Sequence, residues 1–291
     1  MTVTENAAKN ATQRATELDH AIDQEFKREQ RLRARDVGLA ILTPIVLLAL
    51  WELAADTGVL DARLFSPPSA IAVRGAEMVA DGSLAVHIWA TVGRLVFGFI
   101  AGSILGVFAG LIMGVVRPIR AALSPTFTAL YALPKIAILP LLLLIFGLTE
   151  TPKILAVAIS VFFVVQINTL AGIMQIDSRI LESARAYKAT GIRLFIDVLL
   201  PAAAPSIMTG LRVAAGMSVI VVTAVEFVAS NNGLGYLIWN SWQLFQPATM
   251  FVGLIVVSVI GALVTGLIIV LERVLLPWRN SNSPKKKESK K

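Results

Sequence analysis

The chain has no cysteine, which excludes disulfides, thiol nucleophiles and thiolate metal sites together. Histidine is nearly as scarce. His20 and His87 are the only two, and their separation in sequence gives no metal pair. Charge is thin as well: Asp, Glu, Lys and Arg make up 15% of the 291 residues, against roughly a quarter in soluble domains. No Gly-rich phosphate loop of the GxxxxGK[ST] type occurs, so no ATP site is expected on this chain. No clustered catalytic constellation is found either, and no catalytic residue, metal ligand or resident cofactor is assigned. What is abundant is apolar surface, with 56% hydrophobic residues and a mean hydropathy of +0.75. A disordered chain and an ordinary cytosolic enzyme are excluded, leaving an all-α polytopic protein whose first partner is the lipid bilayer. The net charge of +7 does not indicate nucleic acid, because the basic residues flank apolar runs. Residues 1–36 form a longer polar stretch than the charged start of a cleaved signal peptide, so none is expected.

A helix needs about 20 apolar residues to cross the hydrocarbon layer. Six stretches qualify, near 37–55, 88–114, 121–147, 153–174, 205–229 and 249–275. The third is irregular: Pro125, Pro134, Pro140 and Lys135 fall within it, which predicts a broken or bent span. With both termini cytoplasmic, the inner segments hold 20 Lys and Arg and the outer segments three, the asymmetry of the positive-inside rule. The implied organisation is a tail over 1–36, either solvated or carrying an amphipathic helix marked by Leu18, Ile22 and Phe26. A first span with its external segment follows over 37–86, then a five-span core over 87–276 and a basic tail over 277–291.

Two regions carry information beyond hydropathy. In the second span Gly98, Gly102, Gly106, Gly110 and Gly114 recur every four residues, forming one stripe where another helix can approach closely. Between the fourth and fifth spans, the cytoplasmic segment 176–203 predicts a helix over 178–190. Asp177 or Ser178 would cap its start and Gly191 would lie past its end. A second short helix is predicted over 192–200, stopping at Pro201. Such a loop exposes small residues and charges to a partner. On the outer side, Ser69 suits the N-cap of a short helix ending at Asp81-Gly82. Residues 230–235 predict a turn before an aromatic helix that either anchors at the membrane surface or lines an external vestibule.

Ionisable residues inside spans are costly and mark sites or pairs. Arg94 and Glu226 fall at similar depth near the outer ends of spans two and five, where they either pair or line a path. Arg212 lies about eight residues into span five from the inner side.

Glu182-Ser183-Ala184, with Leu200-Pro201 closing the loop, resembles the EAA loop of ABC importer permeases. Ser66-Pro67-Pro68-Ser69, the glycine ladder, Leu133-Pro134-Lys135-Ile136-Ala137, Asn231-Asn232-Gly233-Leu234-Gly235-Tyr236 and Leu276-Pro277-Trp278-Arg279 extend the likeness to residues 40–279. Within that family the chain resembles the nitrate, sulfonate, taurine and bicarbonate branch. The resemblance implies a type I importer fold, a homodimer of permeases in a bacterial inner membrane and an external solute-binding protein. It also implies separate ATPase subunits that hold ATP and Mg. Glu182, Ser183, Ala184, Tyr187, Lys188 and Gly191 would form the coupling helix and its turn. Lys188 stands where the family usually has Gly, which would delay the turn by about three residues. Arg94, Arg212 and Glu226 are the candidates for the translocation path. The substrates implied are small anions, with a thiamine-precursor pyrimidine or an aromatic acid as alternatives. An ATP-independent secondary transporter is the competing class. It would more often show mid-span carboxylates and internal repeats, and neither is evident.

Overall fold

The computed structural model describes residues 28, 30–32, 35–61 and 63–277. The amphipathic helix expected near Leu18 and the basic run from Lys285 lie outside these residues.

All the described secondary structure is helical. By internal contacts the chain divides after Ser69. The first unit contains α1, Gln30–Asp56, an apolar helix long enough to cross a membrane. At its end the Glu52 carboxylate accepts hydrogen bonds from the Ser69 amide (3.0 Å) and hydroxyl (2.5 Å). The helix α2, Pro68–Ala80, starts one residue before Ser69. Ser69 is therefore inside the first turn rather than the N-cap, because proline is pre-set for that opening position.

The second unit contains α3 (Ser83–Val115), α4 (Arg117–Ala132), α5 (Leu139–Phe146), α6 (Thr151–Met174) and α7 (Ser178–Ala186). It continues through α8 (Gly191–Leu194), α9 (Leu200–Ala229), α10 (Leu234–Gln243) and α11 (Pro247–Leu275). The described helices long and apolar enough to cross a membrane number five, or six if the bent pair α4 and α5 is one span.

The glycine stripe of α3 meets α6. A Cβ placed on Gly98, Gly102, Gly106, Gly110 or Gly114 would lie 2.7, 2.8, 3.0, 2.6 or 2.7 Å from the Cβ atoms of Val157, Val161, Val165, Thr169 and Ile173. Four of those distances are shorter than real Cβ contacts, and at Gly106 the Phe162 carbonyl oxygen would lie at 2.7 Å, so only glycine admits this approach. Both series climb by four residues together, so α3 and α6 run parallel. The chain between them must therefore return along the length of a helix, and α4 and α5 make that return.

That return is bent by 96° between Ala132 and Lys135. Pro134 cannot supply a donor there, and the C-terminal carbonyls of α4 are left open. Lys135 closes them: its ammonium donates to the carbonyls of Leu130 (3.2 Å), Tyr131 (2.5 Å) and Leu133 (2.9 Å). The broken third span expected from its prolines takes this form.

α6 and α9 are antiparallel. Gly172 of α6 packs on Ser206, and Gly210 of α9 packs on Asn168, so one index rises as the other falls. α9 also runs antiparallel to α11, as Gly261 opposite Val219 and Glu272 paired with Arg212 require. The separate helix expected over 192–200 is not a separate element. Gly191–Ala229 is one continuous helix that passes Pro201. A π-helical turn over Phe195–Leu199 allows this. Its wider winding includes Asp197, the residue whose carbonyl the Pro201 ring would crowd in an α-helix.

Candidate functional site

Two places in the second unit concentrate polar groups. They lie at opposite ends of α9.

At the C-terminal end of α9, α3 presents Thr91 and Arg94 toward it. Arg94 is 2% exposed and Glu226 0%, so both charges are desolvated and need partners to persist. The Arg94 guanidinium donates through Nη1 to the Glu226 carboxylate at 2.7 Å and to the Asn232 carbonyl at 2.9 Å. Its Nε and Nη2 donate to the two Glu150 oxygens at 2.5 and 2.9 Å. Nη2 also donates to Asn232 Oδ1. A guanidinium has five N–H groups, and all five are engaged within the chain. None is left for a passing anion.

Glu226 is equally saturated. It accepts from the Thr91 hydroxyl at 2.9 Å and the Gly235 amide at 2.8 Å as well as from Arg94. Thr91 Oγ1 in turn accepts the Leu234 amide at 2.8 Å, and the Gly233 amide donates to His87 Nδ1 at 3.2 Å. Three successive amides of the 230–235 loop thus end on this cluster. Gly233 has φ +108°, and a Cβ there would stand 2.5 Å from Glu226 Oε1 and 2.6 Å from Arg94 Nη1. Glycine is required on both counts.

Glu150 precedes the first turn of α6 and is the cluster's half-exposed member. The Arg94 guanidinium, aided by Lys153 at 2.8 Å, holds its carboxyl down to about 2.

Sequence depth alone had placed Arg94 and Glu226 at one level, and the structure brings them together. Glu150, Thr91, Asn232, Gly233 and Gly235 were missed. Glu150 was open to the same depth argument, since it is the one carboxylate between Gly147 and the start of α6. The roles of Thr91 and the loop amides leave no sequence signal, because a backbone donor has no residue type. Arg212 is not part of this cluster. Its Nη2 pairs with the buried Glu272 of α11, and its Nε has no partner among the described residues.

The N-terminal end of the helix that contains α9 carries α7. The Asp177 carboxylate caps it, accepting the Arg179 amide at 2.9 Å. The helix ends at Ala186, not at 190. Lys188 itself takes the left-handed conformation, φ +57°, so the turn falls at Lys188 and is not delayed to Gly191. Gly191, also at φ +57°, opens the next helix. Glu182 is the fifth helical residue, past the first turn. Two faces are distinct. Leu181 packs on the apolar cluster of Ile173, Leu199 and Ala203, and Ala184 is buried within the chain. Ile180, Glu182, Ser183 and Tyr187 point outward, with Tyr187 89% exposed. The expectation that the loop exposes its small residues to a partner is therefore corrected at Ala184, which is buried within the chain, while Ser183 and Tyr187 lie on the exposed face.

The residues from Gly102 through the glycine seam, the α7 loop and α11 match one family model as a block. Residues 102–276 fit the binding-protein-dependent transport system inner membrane component. The chain belongs to this family of ABC transporter permeases. It is 34% identical over 241 residues to a putative aliphatic sulfonates transport permease of Bacillus subtilis, covering 83% of this chain and 87% of that one. To the taurine transport system permease of Escherichia coli it is 28% identical over 250 residues, covering 84% and 91%. An inward-facing methionine ABC transporter structure aligns with a TM-score of 0.58 at 18% identity, covering 66% of this chain and 95% of that one. The permease is thus a multi-pass membrane subunit of an ABC importer.

Proposed function

We propose that this permease forms, as a homodimer, the path for a small anion of the sulfonate, taurine or nitrate class, driven by separate ATPase subunits and fed by an external solute-binding protein. The relatives named for sulfonate and taurine transport support the solute class, and the family's description supports the binding protein. In this reading α4 and α5 count as one span, giving six, with both termini in the cytoplasm. The parallel run of α3 and α6 supports that count, and the basic bias of the inner loops supports the orientation.

The observation that carries the reading is α7. A short capped helix with one face on the chain's own core and one face bare is built to dock, and it joins directly to the continuous helix ending at Ala229. Glu182, Ser183 and Tyr187 are the contact residues in this reading, with Lys188 and Gly191 shaping the turn. Ala184 holds the helix to its own permease. Arg94 and Glu226 serve as a clamp. Arg212, whose side chain is 40% exposed, is the cation this reading sets against an anionic solute.

Ser183→Trp tests the docking face. It should reduce copurification of the ATPase at least tenfold with no change in permease melting. Wild-type recruitment of the ATPase by this variant would refute the assignment. Uptake of labelled taurine, ethanesulfonate and nitrate by the assembled transporter identifies the solute. Arg212→Gln should lower that uptake several-fold.

A further inference from the structure

The outer cluster does more than neutralise two charges. Arg94 binds Glu226 of α9 and both the carbonyl and side chain of Asn232. The same guanidinium therefore holds the end of α9 and the loop that follows it. Glu226 returns the contact by accepting the Gly235 amide, and Thr91 accepts the Leu234 amide. Loop and helix end cannot separate without breaking this set.

α9 leads from there to the other end of the molecule. The helix is continuous over Gly191–Ala229, 39 residues, or about 58 Å at 1.5 Å per residue. Its inner start, through Leu194, Phe195 and Leu199, packs in the cluster that also receives Leu181 of α7. The π turn lies there, over Phe195–Leu199, and such turns often mark functional joints. A displacement of the 230–235 loop thus reaches α7 through one rod, provided the loop stays fastened.

We propose that Arg94, Glu226 and Asn232 form a latch that fastens the 230–235 loop to the outer end of α9, and that these positioning residues transmit contact at the outer face along α9 to α7. The inference rests on the importer reading above. It differs from a purely structural ion pair in what the loop contributes. A structural pair needs only balanced charge, whereas a latch needs the bond from Arg94 to the Asn232 side chain.

The test uses the full transporter, with its ATPase and binding protein, in lipid nanodiscs with Mg-ATP. The binding protein is supplied with an equimolar mixture of ethanesulfonate, taurine and nitrate. Asn232→Ala removes the side-chain acceptor and leaves both charges paired. It should lower the ratio of stimulated to unstimulated ATP hydrolysis at least threefold, with assembly and melting unchanged. Amide hydrogen exchange over 230–238 should rise with it. Gly233→Ala, which drives a methyl between loop and pair, should have the same effect. Arg94→Gln with Glu226→Gln removes both charges together. It should melt near wild type while its stimulation stays low. Wild-type stimulation in Asn232→Ala, or recovery of stimulation along with melting in the double variant, would overturn the latch. Failure of the wild-type permease to recruit the ATPase would overturn both the importer reading and the latch, and that result is distinct from either variant outcome.

Discussion

One helix, α3, is held to its neighbours in two opposite ways. Along the stripe from Gly98 to Gly114 it presents no side chain to α6, which packs against bare backbone. One to two turns earlier, at Arg94 and Thr91, it carries a buried charge and a hydroxyl, and every polar atom of that charge is matched. Lipid supplies little hydrophobic drive between helices, so attraction comes either from close packing or from satisfied polar groups. The glycine seam ties α3 to one partner over a long face. The polar cluster ties it at a point to α6, α9 and the 230–235 loop together. The seam is sensitive to size and indifferent to charge, and the cluster is the reverse.

The strongest test of that contrast is Gly106→Leu. Its added Cβ would lie 2.7 Å from the Phe162 carbonyl oxygen, and backbone cannot yield as a flexible side chain does. Overpacking of this kind costs about 1–3 kcal/mol or more. Melting in detergent should fall by at least roughly 5 °C, on the order expected for a chain of this size. Leu105→Ile, on the exposed face, should melt as wild type, and equal loss in both would remove the seam as the cause.

Next in size is Glu226→Gln, which leaves Arg94 with one carboxylate fewer in a buried site. Breaking such a pair costs about 3–5 kcal/mol when the remaining charge is uncompensated. Glu150 still compensates here, so the loss should be smaller and Arg94→Gln with Glu226→Gln should recover most of it. A double variant no better than the single would mean that the charges act independently.

The smallest effect belongs to Glu150. Its carboxyl is held down from 4.5 to about 2. The stability it contributes is therefore complete above pH 4.5 and is lost as pH falls toward 2. Half-exposure screens the contribution, so Glu150→Gln should shift melting by less than about 2 °C at neutral pH. The variant should also flatten the melting profile between pH 4.5 and 2. An unaltered acid profile would show that Glu150 is not the titrating partner.

Much of this architecture was legible in the sequence because its causes are periodic. The four-residue glycine spacing marked the α3 face, and apolar length marked the spans. Three prolines marked the span that bends. Legibility failed where backbone does the work. Pro201 was read as a stop, since nothing in residue type announces the π turn that absorbs it. Ala184 was read as open to a partner because small size alone does not say which way a methyl faces. The α7 turn was placed late because Lys188 looked unable to adopt the left-handed conformation that it takes. At the outer cluster, depth found the two buried charges, while the amides of residues 233–235 were invisible because every residue except proline has one.

The parallel run of α3 and α6 has a bearing on synthesis. The surface that fits the α3 glycines begins at Ile154, so α3 emerges from the ribosome well before its counterpart exists. Until then its bare face is open to any other helix in the membrane. Lys135, which closes the carbonyls at the α4 bend from within its own segment, lets the intervening return be completed first. The order of translation thus places the α4 and α5 return in the chain before the residues that complete the seam.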